Sequence, residues 1–203
     1  MSAEHGIVGV LLAAGIGQRF DPSGNRLKLL EPAPAGAWAG EPLALAALRN
    51  LLAAITEVIV VLRPAQDERQ RRLHALLAAE GAQLALNPEA DAGMGTSLAC
   101  GVRVRADAAG WLIALADMPA IAPATVAAVR DALLRGHDAA APRYRGQRGH
   151  PVGFVRACRD ELLACTGEAG ARSVFLRHPP HLVDVDDPGC LLDIDSPADT
   201  VPR

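Results

Sequence analysis

The amino-acid sequence predicts an α/β fold in which a mostly parallel sheet is covered by helices on both faces. Short apolar runs alternate along the chain with longer segments of helical pattern, as in folds built from strand–helix–strand units. The runs are apolar at nearly every position, which is typical of parallel strands buried on both sides. Hydrophobic residues make up 50% of the chain and aromatic residues only 3%, so alanine, leucine and valine must fill the interior.

The limits of these elements follow from glycine, proline and the spacing of apolar residues. Gly81 ends a helix over 66–80, and Pro123 suits the first turn of a later helix. Loops as long as the one over 13–40 are usually functional or disordered. In chain order we expect a strand over 7–12, a helix over 43–54, a strand over 57–62, a helix over 66–80, a strand over 83–86, a helix through residue 105, a strand over 111–116, a helix over 123–135, strands over 138–142 and 152–155, helices over 156–165 and 169–177, a strand over 182–186 and a short helix from Ser196.

Length, charge and cysteine content restrict what the chain can be. We expect one domain over 1–203, since this length suffices for a single core and no linker interrupts it. The net charge of −3 argues against a nucleic-acid partner. The four cysteines have no Cys-x-x-Cys spacing, which disfavours a zinc site. Few cysteines, no signal-peptide pattern and no apolar run long enough for a membrane span predict a cytoplasmic protein with no membrane partner.

The loop after the first strand carries the strongest functional pattern. The strand runs straight into Gly15 and Gly17, where backbone N–H groups are not shielded by side chains. Arg19 and Lys28 follow, and such cations suit a polyphosphate. The pattern matches neither of the two standard glycine-rich phosphate motifs. We expect a nucleoside triphosphate site here; the alternative is that the glycines only turn the chain and Arg19 is a solvated charge.

Carboxylates at two points suggest a metal ion. Asp117 directly follows the strand over 111–116, and Mg²⁺ is often held by one or two carboxylates together with substrate phosphates. Asp193 and Asp195 alternate along an extended segment, so either could be a second ligand. The alternatives are a turn-capping role for Asp117 and helix-entry roles for the later acids.

Two further motifs could contact substrates. Gly95 and Ser97 open a helix and would offer free N–H groups and a hydroxyl to a base or ribose, although one capping hydroxyl would explain part of the pattern. The segment 143–151 holds three arginines and a histidine, among them Arg148 and His150. It could bind an anionic second substrate or be a solvated hairpin tip, and a lone histidine before proline is more often structural.

Taken in order and spacing, these motifs resemble those of the nucleotidyltransferases of the molybdenum cofactor pathway, most closely the molybdenum cofactor cytidylyltransferases. The resemblance runs from Gly9 to about Asp199. It is carried by Leu-Ala-Ala-Gly-x-Gly-x-Arg over 12–19, Lys-Leu-Leu over 28–30, Gly-Met-Gly-Thr-Ser-Leu over 93–98, Leu-Ala-Asp-Met-Pro over 115–119, Gly-His-Pro-Val-Gly-Phe over 149–154 and Asp-Ile-Asp-Ser-Pro-Ala-Asp over 193–199. The guanylyltransferase branch typically has Ala-Gly-Gly in the first loop, where this chain has Ala13-Ala14-Gly15.

The resemblance implies a Rossmann-like nucleotidyltransferase fold and transfer of CMP from CTP to the terminal phosphate of molybdenum-bound molybdopterin, with pyrophosphate released. Mg²⁺ would be the cofactor, and a molybdenum hydroxylase-type enzyme could receive the product. Catalysis is expected from Arg19, Lys28 and Asp117, metal binding from Asp117 and Asp195, and acceptor binding from Arg148 and His150. The nucleotide is expected to contact Leu12, Ala13, Ala14, Gly15, Gly17, Arg19, Lys28, Gly95, Ser97 and Asp117.

The chain departs from the family pattern twice, and other functions compete. The stretch between Arg19 and Lys28 is longer than usual, so Arg26 could share or take the lysine role; Glu41 stands where a lysine is common. Competing functions are guanylyl transfer to the same acceptor, nucleotidyl transfer to a sugar phosphate, and a carrier of molybdenum cofactor that performs no transfer. A NAD-dependent oxidoreductase is disfavoured because the first loop lacks a third glycine and Arg63, not an acid, follows the second strand.

Overall fold

A computed structural model describes residues 6–200 of the chain as eight strands and six α-helices joined by loops and short 3₁₀ turns. The strands are β1 (Ile7–Leu12), β2 (Val58–Leu62), β3 (Gln83–Leu86), β4 (Gly110–Leu115), β5 (Ala139–Tyr144), β6 (Gln147–Arg148), β7 (Val152–Val155) and β8 (His181–Asp184). The helices are α1 (Leu43–Leu52), α2 (Glu68–Ala79), α3 (Met94–Val104), α4 (Pro123–Leu134), α5 (Arg159–Leu163) and α6 (Arg172–Arg177).

All eight strands form one sheet, ordered β3-β2-β1-β4-β7-β5-β6, with β8 paired to β5. The first four strands pair in parallel, and β8 is parallel to β5, whereas β7 is antiparallel to both of its neighbours. The predicted mostly parallel α/β sheet is therefore confirmed. In the parallel pairing, Leu12 at the end of β1 lies beside Leu115 of β4 and Val61 of β2. The segments that follow these three strands therefore emerge at one edge of the sheet.

Alternating side chains along the central strands feed two separate cores, one on each face. Leu11, Val60 and Leu112 lie in the core formed with α1, α2 and α4. Val10 and Ile113 lie in the opposite core, with α3, α5 and α6. Because both faces are buried, β1, β2 and β4 must be apolar at every position, which is the pattern that identified them. The edge at which β1, β2 and β4 end is therefore packed between helices on both faces of the sheet.

The second half departs from the expected helices. The helix expected over 156–165 is a 3₁₀ turn at Arg156–Cys158 followed by α5, and the one expected over 169–177 begins only at Arg172. Gly167 and Gly170 both have positive φ, which keeps the connection between α5 and α6 out of a helix. The end of the described chain is a 3₁₀ turn, Pro197–Thr200. Within residues 6–200, every helix is too short or too polar to cross a membrane.

Candidate active site

A cleft of about 490 Å³ opens at the edge where β1 and β4 end. It collects side chains from the first loop, from the segment after β4 and from the far end of the chain. All the residues expected to contact a nucleotide line it except Gly95, and Asp195 lines it as well. Those that line it are Leu12, Ala13, Ala14, Gly15, Gly17, Arg19, Lys28, Ser97 and Asp117.

The glycine loop is shaped by its own backbone and by Arg63. Gly17 has φ +66°, and a Cβ there would lie 3.1 Å from Cβ of Lys28. The carbonyl of Gly17 accepts the N–H groups of Phe20 and Asp21, which closes the turn. Above Gly15 the space is open, since a Cβ would meet no described atom within 4 Å. The loop therefore leaves its peptide groups open to the approach of a ligand.

Arg63, just after the end of β2, fixes the loop to the opposite wall of the cleft. Its Nε donates to the carbonyl of Ala14 at 3.0 Å, and its Nη2 donates to Oδ1 of Asp91 at 2.9 Å. The side chain is mostly buried and lines both this cleft and a neighbouring cavity of about 200 Å³. Sequence reasoning missed this role. The only visible cue was a cation immediately after a buried strand at the ligand-binding edge.

Four side chains of alternating charge cross the floor of the cleft. Nζ of Lys28 lies 2.7 Å from Oδ2 of Asp117 and 3.7 Å from Oδ1 of Asp195. Nη1 of Arg19 lies 2.9 Å from Oδ2 of Asp195. We call the series Asp117, Lys28, Asp195 and Arg19 the charge ladder. The amide of Ile194 donates to the carbonyl of Asp117 at 2.9 Å, which brings the far end of the chain onto the end of β4.

Of Lys28 and Arg26, the two candidates for the lysine role, Lys28 is the one that lines the cleft. Arg26 forms a two-point ion pair with Glu31, with Nε 3.1 Å from Oε1, and its guanidinium lies over the Phe20 ring at 4.9 Å. It lines the smaller cavity instead. The second departure, Glu41, lies 3.3 Å from Nη1 of Arg49 and helps to hold its loop against α1.

The expectation of a free amide at Gly95 is wrong. Its N–H donates to the carbonyl of Gly167 at 2.8 Å, and a Cβ there would lie 2.6 Å from the backbone of Thr166. Position 95 requires a glycine because the loop that precedes α6 packs directly on the start of α3. The contact joins residues about seventy positions apart, so no local pattern could reveal it.

Ser97 does reach the cleft, and Asn87 orients it. Nδ2 of Asn87 donates to the hydroxyls of Thr96 and Ser97, each at 3.0 Å, while its Oδ1 accepts the amide of Glu89 at 3.0 Å. Asn87 is buried and directly follows β3. It was not predicted from the sequence, although a polar residue at the end of a strand was a usable signal.

Asp117 and Asp195 fit a divalent cation. Their carboxylates come close enough to share one ammonium group, and carboxylate oxygens are preferred ligands of Mg²⁺. Within residues 6–200 no three acidic, histidine or cysteine side chains gather into a metal site. A metal here would complete its coordination with phosphate oxygens and water. Asp193, by contrast, is exposed and outside the cleft lining.

Arg148 and His150 lie outside the lining of the cleft. The guanidinium of Arg148 covers the Phe175 ring at 4.7 Å. Nδ1 of His150 is buried and has no hydrogen-bond partner in the described chain. Burial lowers the pKa of His150, and the negative charge of Asp117 opposes this effect. The lowered pKa favours the neutral imidazole, as expected for a structural or hydrogen-bonding group.

Comparisons with known proteins identify the family of the chain. Residues 9–182 match the family model described as a MobA-like NTP transferase domain. The chain is 31% identical over 190 residues to nicotine blue oxidoreductase of Paenarthrobacter nicotinovorans, covering 89% of this chain and 86% of that protein. The crystal structure of Rv0371c from Mycobacterium tuberculosis H37Rv is similar, with a TM-score of 0.77 and 27% identity over 97% of this chain and 96% of that one. A manganese complex of Rv0371c has a TM-score of 0.73 and 28% identity over 96% of this chain and 95% of that one. The chain belongs to the MobA-like NTP transferase family.

Proposed function

We propose that the chain transfers CMP from CTP to the terminal phosphate of molybdenum-bound molybdopterin and releases pyrophosphate. The observation that carries the proposal is the convergence of the open glycine loop, Lys28 and Asp117 in one cleft. Membership of an NTP transferase family supports nucleotidyl transfer, and the motif resemblance supports the choice of CTP and of the acceptor. We also propose that the whole chain acts as one domain.

The reaction needs alignment and charge neutralisation more than acid–base chemistry. A phosphate oxygen of the acceptor is already anionic, so it can attack the α-phosphorus of CTP without a general base. The bond between that phosphorus and the oxygen bridging to the β-phosphate breaks, and pyrophosphate leaves with the electron pair. Catalysis of such transfers comes from holding the groups in line and stabilising the charge that develops on phosphate oxygens.

The residues of the cleft divide these tasks. The 13–17 loop and Arg19 would bind the triphosphate through backbone N–H groups and a guanidinium. Lys28 would neutralise charge at the α-phosphate or the departing pyrophosphate. Asp117 and Asp195 would hold Mg²⁺, which supplies a Lewis acid to the phosphate oxygens when bound. The manganese complex of Rv0371c, a relative, supports divalent metal use.

The opposite wall would receive the ribose and base. Ser97 offers a hydroxyl oriented by Asn87. Glu168 lines the same cleft, and the described chain gives its carboxylate no hydrogen bond or ion pair. A free carboxylate there would accept a hydrogen bond from the exocyclic amino group of cytosine and would disfavour uracil, which presents a carbonyl oxygen instead.

The acceptor would contact Arg148 and His150, which lie outside the lining of the cleft. The product could pass from there to a molybdenum hydroxylase-type enzyme. Our choice of CTP over GTP rests on the sequence Ala13-Ala14-Gly15, so the experiment must include both nucleotides.

The test is pyrophosphate release by the purified protein with purified molybdenum cofactor and each of CTP, GTP, UTP and ATP. We expect release with CTP that requires a divalent metal. Preference for GTP would make the chain a guanylyltransferase, and release only with a sugar phosphate would change the acceptor. Tight binding of the cofactor without release would indicate a carrier.

One relative favours a different class of activity. Because nicotine blue oxidoreductase is 31% identical to this chain, oxidoreductase activity should be assayed with the same preparation, using NADH or NADPH as reductant and an added dye as electron acceptor. Reduction of the dye by NADH or NADPH without nucleotide-dependent pyrophosphate release would overturn the proposed transferase.

A further inference from the structure

The charge ladder is neutral in the free protein. Asp117 and Asp195 contribute two negative charges, and Lys28 and Arg19 contribute two positive charges. Each carboxylate already has a cation within 3 Å, at 2.7 Å for Asp117 and 2.9 Å for Asp195. The groups expected to bind metal and the groups expected to bind phosphate therefore bind each other.

Lys28 occupies the central position of this arrangement. Its side chain is only 11% exposed, and within residues 6–200 its ammonium is the cation that contacts both carboxylates. Two carboxylates this close repel one another unless a cation lies between them. A divalent ion with the same two ligands would take a position between them as well, so lysine and metal compete for the same pair of carboxylates.

We infer that the Lys28 ammonium fills the divalent-cation site of the free protein, so that metal and triphosphate bind as one unit. Metal alone would displace Lys28 and leave a largely buried ammonium without an anion, which is costly. Triphosphate alone would meet the charges of Asp117 and Asp195. When both bind, the carboxylates turn to the metal while Lys28 and Arg19 turn to the phosphates, and every charge of the ladder keeps a partner. The identity of the phosphate ligand in this inference rests on the proposed function.

The local structure permits the exchange without refolding. Lys28 begins a 3₁₀ turn over Lys28–Leu30, and Leu29 within that turn is buried in the core. The amide of Leu30 donates to the carbonyl of Leu27 at 2.9 Å, which holds the backbone in place. The side chain of Arg19 is 84% exposed, so its guanidinium has room to turn from Asp195 towards a phosphate. Only side-chain rotation is needed.

Metal and triphosphate must each raise the affinity of the protein for the other by the same factor. Such couplings typically change affinity by between about 5-fold and 150-fold. The experiment titrates the nucleotide-free protein with Mn²⁺. Calorimetry measures the heat of binding, and electron paramagnetic resonance measures the remaining free Mn²⁺. Removing the competing ammonium in Lys28→Met should tighten Mn²⁺ binding by about 10-fold. Adding Asp117→Asn to that variant should abolish the gain.

Arg26→Met is the matched control, because Arg26 is a nearby cation that pairs with Glu31 outside the cleft. It should bind Mn²⁺ as the unsubstituted protein does. Lys28→Gln, which retains a polar side chain, should show the same gain as Lys28→Met, and circular dichroism identifies which variant is folded.

Mn²⁺ binding by folded Lys28→Met or Lys28→Gln that is no tighter than in the unsubstituted protein would overturn the inference. The titration uses the metal alone, so it is separate from the test of function. A chain that binds Mn²⁺ as expected but releases no pyrophosphate would fail as a transferase and still satisfy the inference.

Discussion

Replacing Asp117 by asparagine should reduce nucleotidyl transfer far more than it reduces stability. The substitution preserves volume but removes the charge that faces Lys28 at 2.7 Å. The pair is neither exposed nor fully buried, with the side chains of Lys28 and Asp117 11% and 26% exposed. Exposed pairs contribute at most about 1 kcal/mol and broken buried pairs cost about 3–5 kcal/mol. Asp195, 3.7 Å from the same ammonium, remains as a partner, so we expect a loss of about 1–2 kcal/mol in unfolding free energy.

The expected loss of activity is larger because two functions fail together. In the Asp117→Asn variant the neutral amide would be a poorer metal ligand, and Lys28 would lose the group that positions it. Removal of one group that stabilises transition-state charge typically costs about 10²–10³ in kcat, and we expect at least that. Pyrophosphate release measures kcat and KM, and urea unfolding measures stability on the same preparations.

Asp160→Asn provides a matched control for the Asp117 substitution. Asp160 pairs with Nε of Arg159 at 2.9 Å, but its side chain is 81% exposed and lies outside the cleft. We expect activity within a few-fold of the unsubstituted protein. Near-normal transfer by Asp117→Asn, or equal losses in the two variants, would refute the assigned role of Asp117.

Three further predictions concern residues in and around the site. Asn87→Ala removes three side-chain hydrogen bonds, so the unfolding free energy should fall by about 2–4 kcal/mol. The KM for nucleotide should rise because Ser97 loses the group that orients it. Unchanged urea unfolding would contradict this prediction. Gly93 has φ +107°, and Gly93→Ala would place a Cβ 2.4 Å from the Gly167 backbone. The melting temperature of this variant should lie well below that of Gly81→Ala, where φ is also positive but the space is open. Equal melting temperatures would count against the packing of Gly93 on Gly167. Burial lowers the pKa of His150 below its ordinary value of 6.5, so the unfolded state binds more protons and stability should fall as pH decreases below about 6.5. His150→Gln should reduce that fall in urea midpoints, and an unaltered pH dependence would show that His150 does not contribute to it.

The parts of the fold nearest the site were the most predictable. β1, β2 and β4 are buried on both faces, so burial itself makes their sequences apolar throughout and visible without a structure. The glycine loop and Asp117 follow directly from the ends of two such strands, and their meeting is a consequence of parallel pairing.

Long-range contacts account for what the sequence did not reveal. The antiparallel insertion of β7 between β4 and β5 depends on pairing across distant segments. The capture of the Gly95 amide by Gly167 likewise depends on a loop far along the chain. The helix expected over 169–177 begins only at Arg172, after Gly170 has taken a positive φ.

We propose that a single cleft holds the triphosphate on the glycine loop and the metal on Asp117 and Asp195. A crystal structure with Mn²⁺ and a non-hydrolysable CTP analogue tests it most directly. We predict phosphates along the 13–17 loop, the metal between the two carboxylates, and the Lys28 ammonium moved from Asp117 to a phosphate oxygen. A nucleotide bound elsewhere, or Lys28 still paired with Asp117 beside a bound triphosphate, would contradict it.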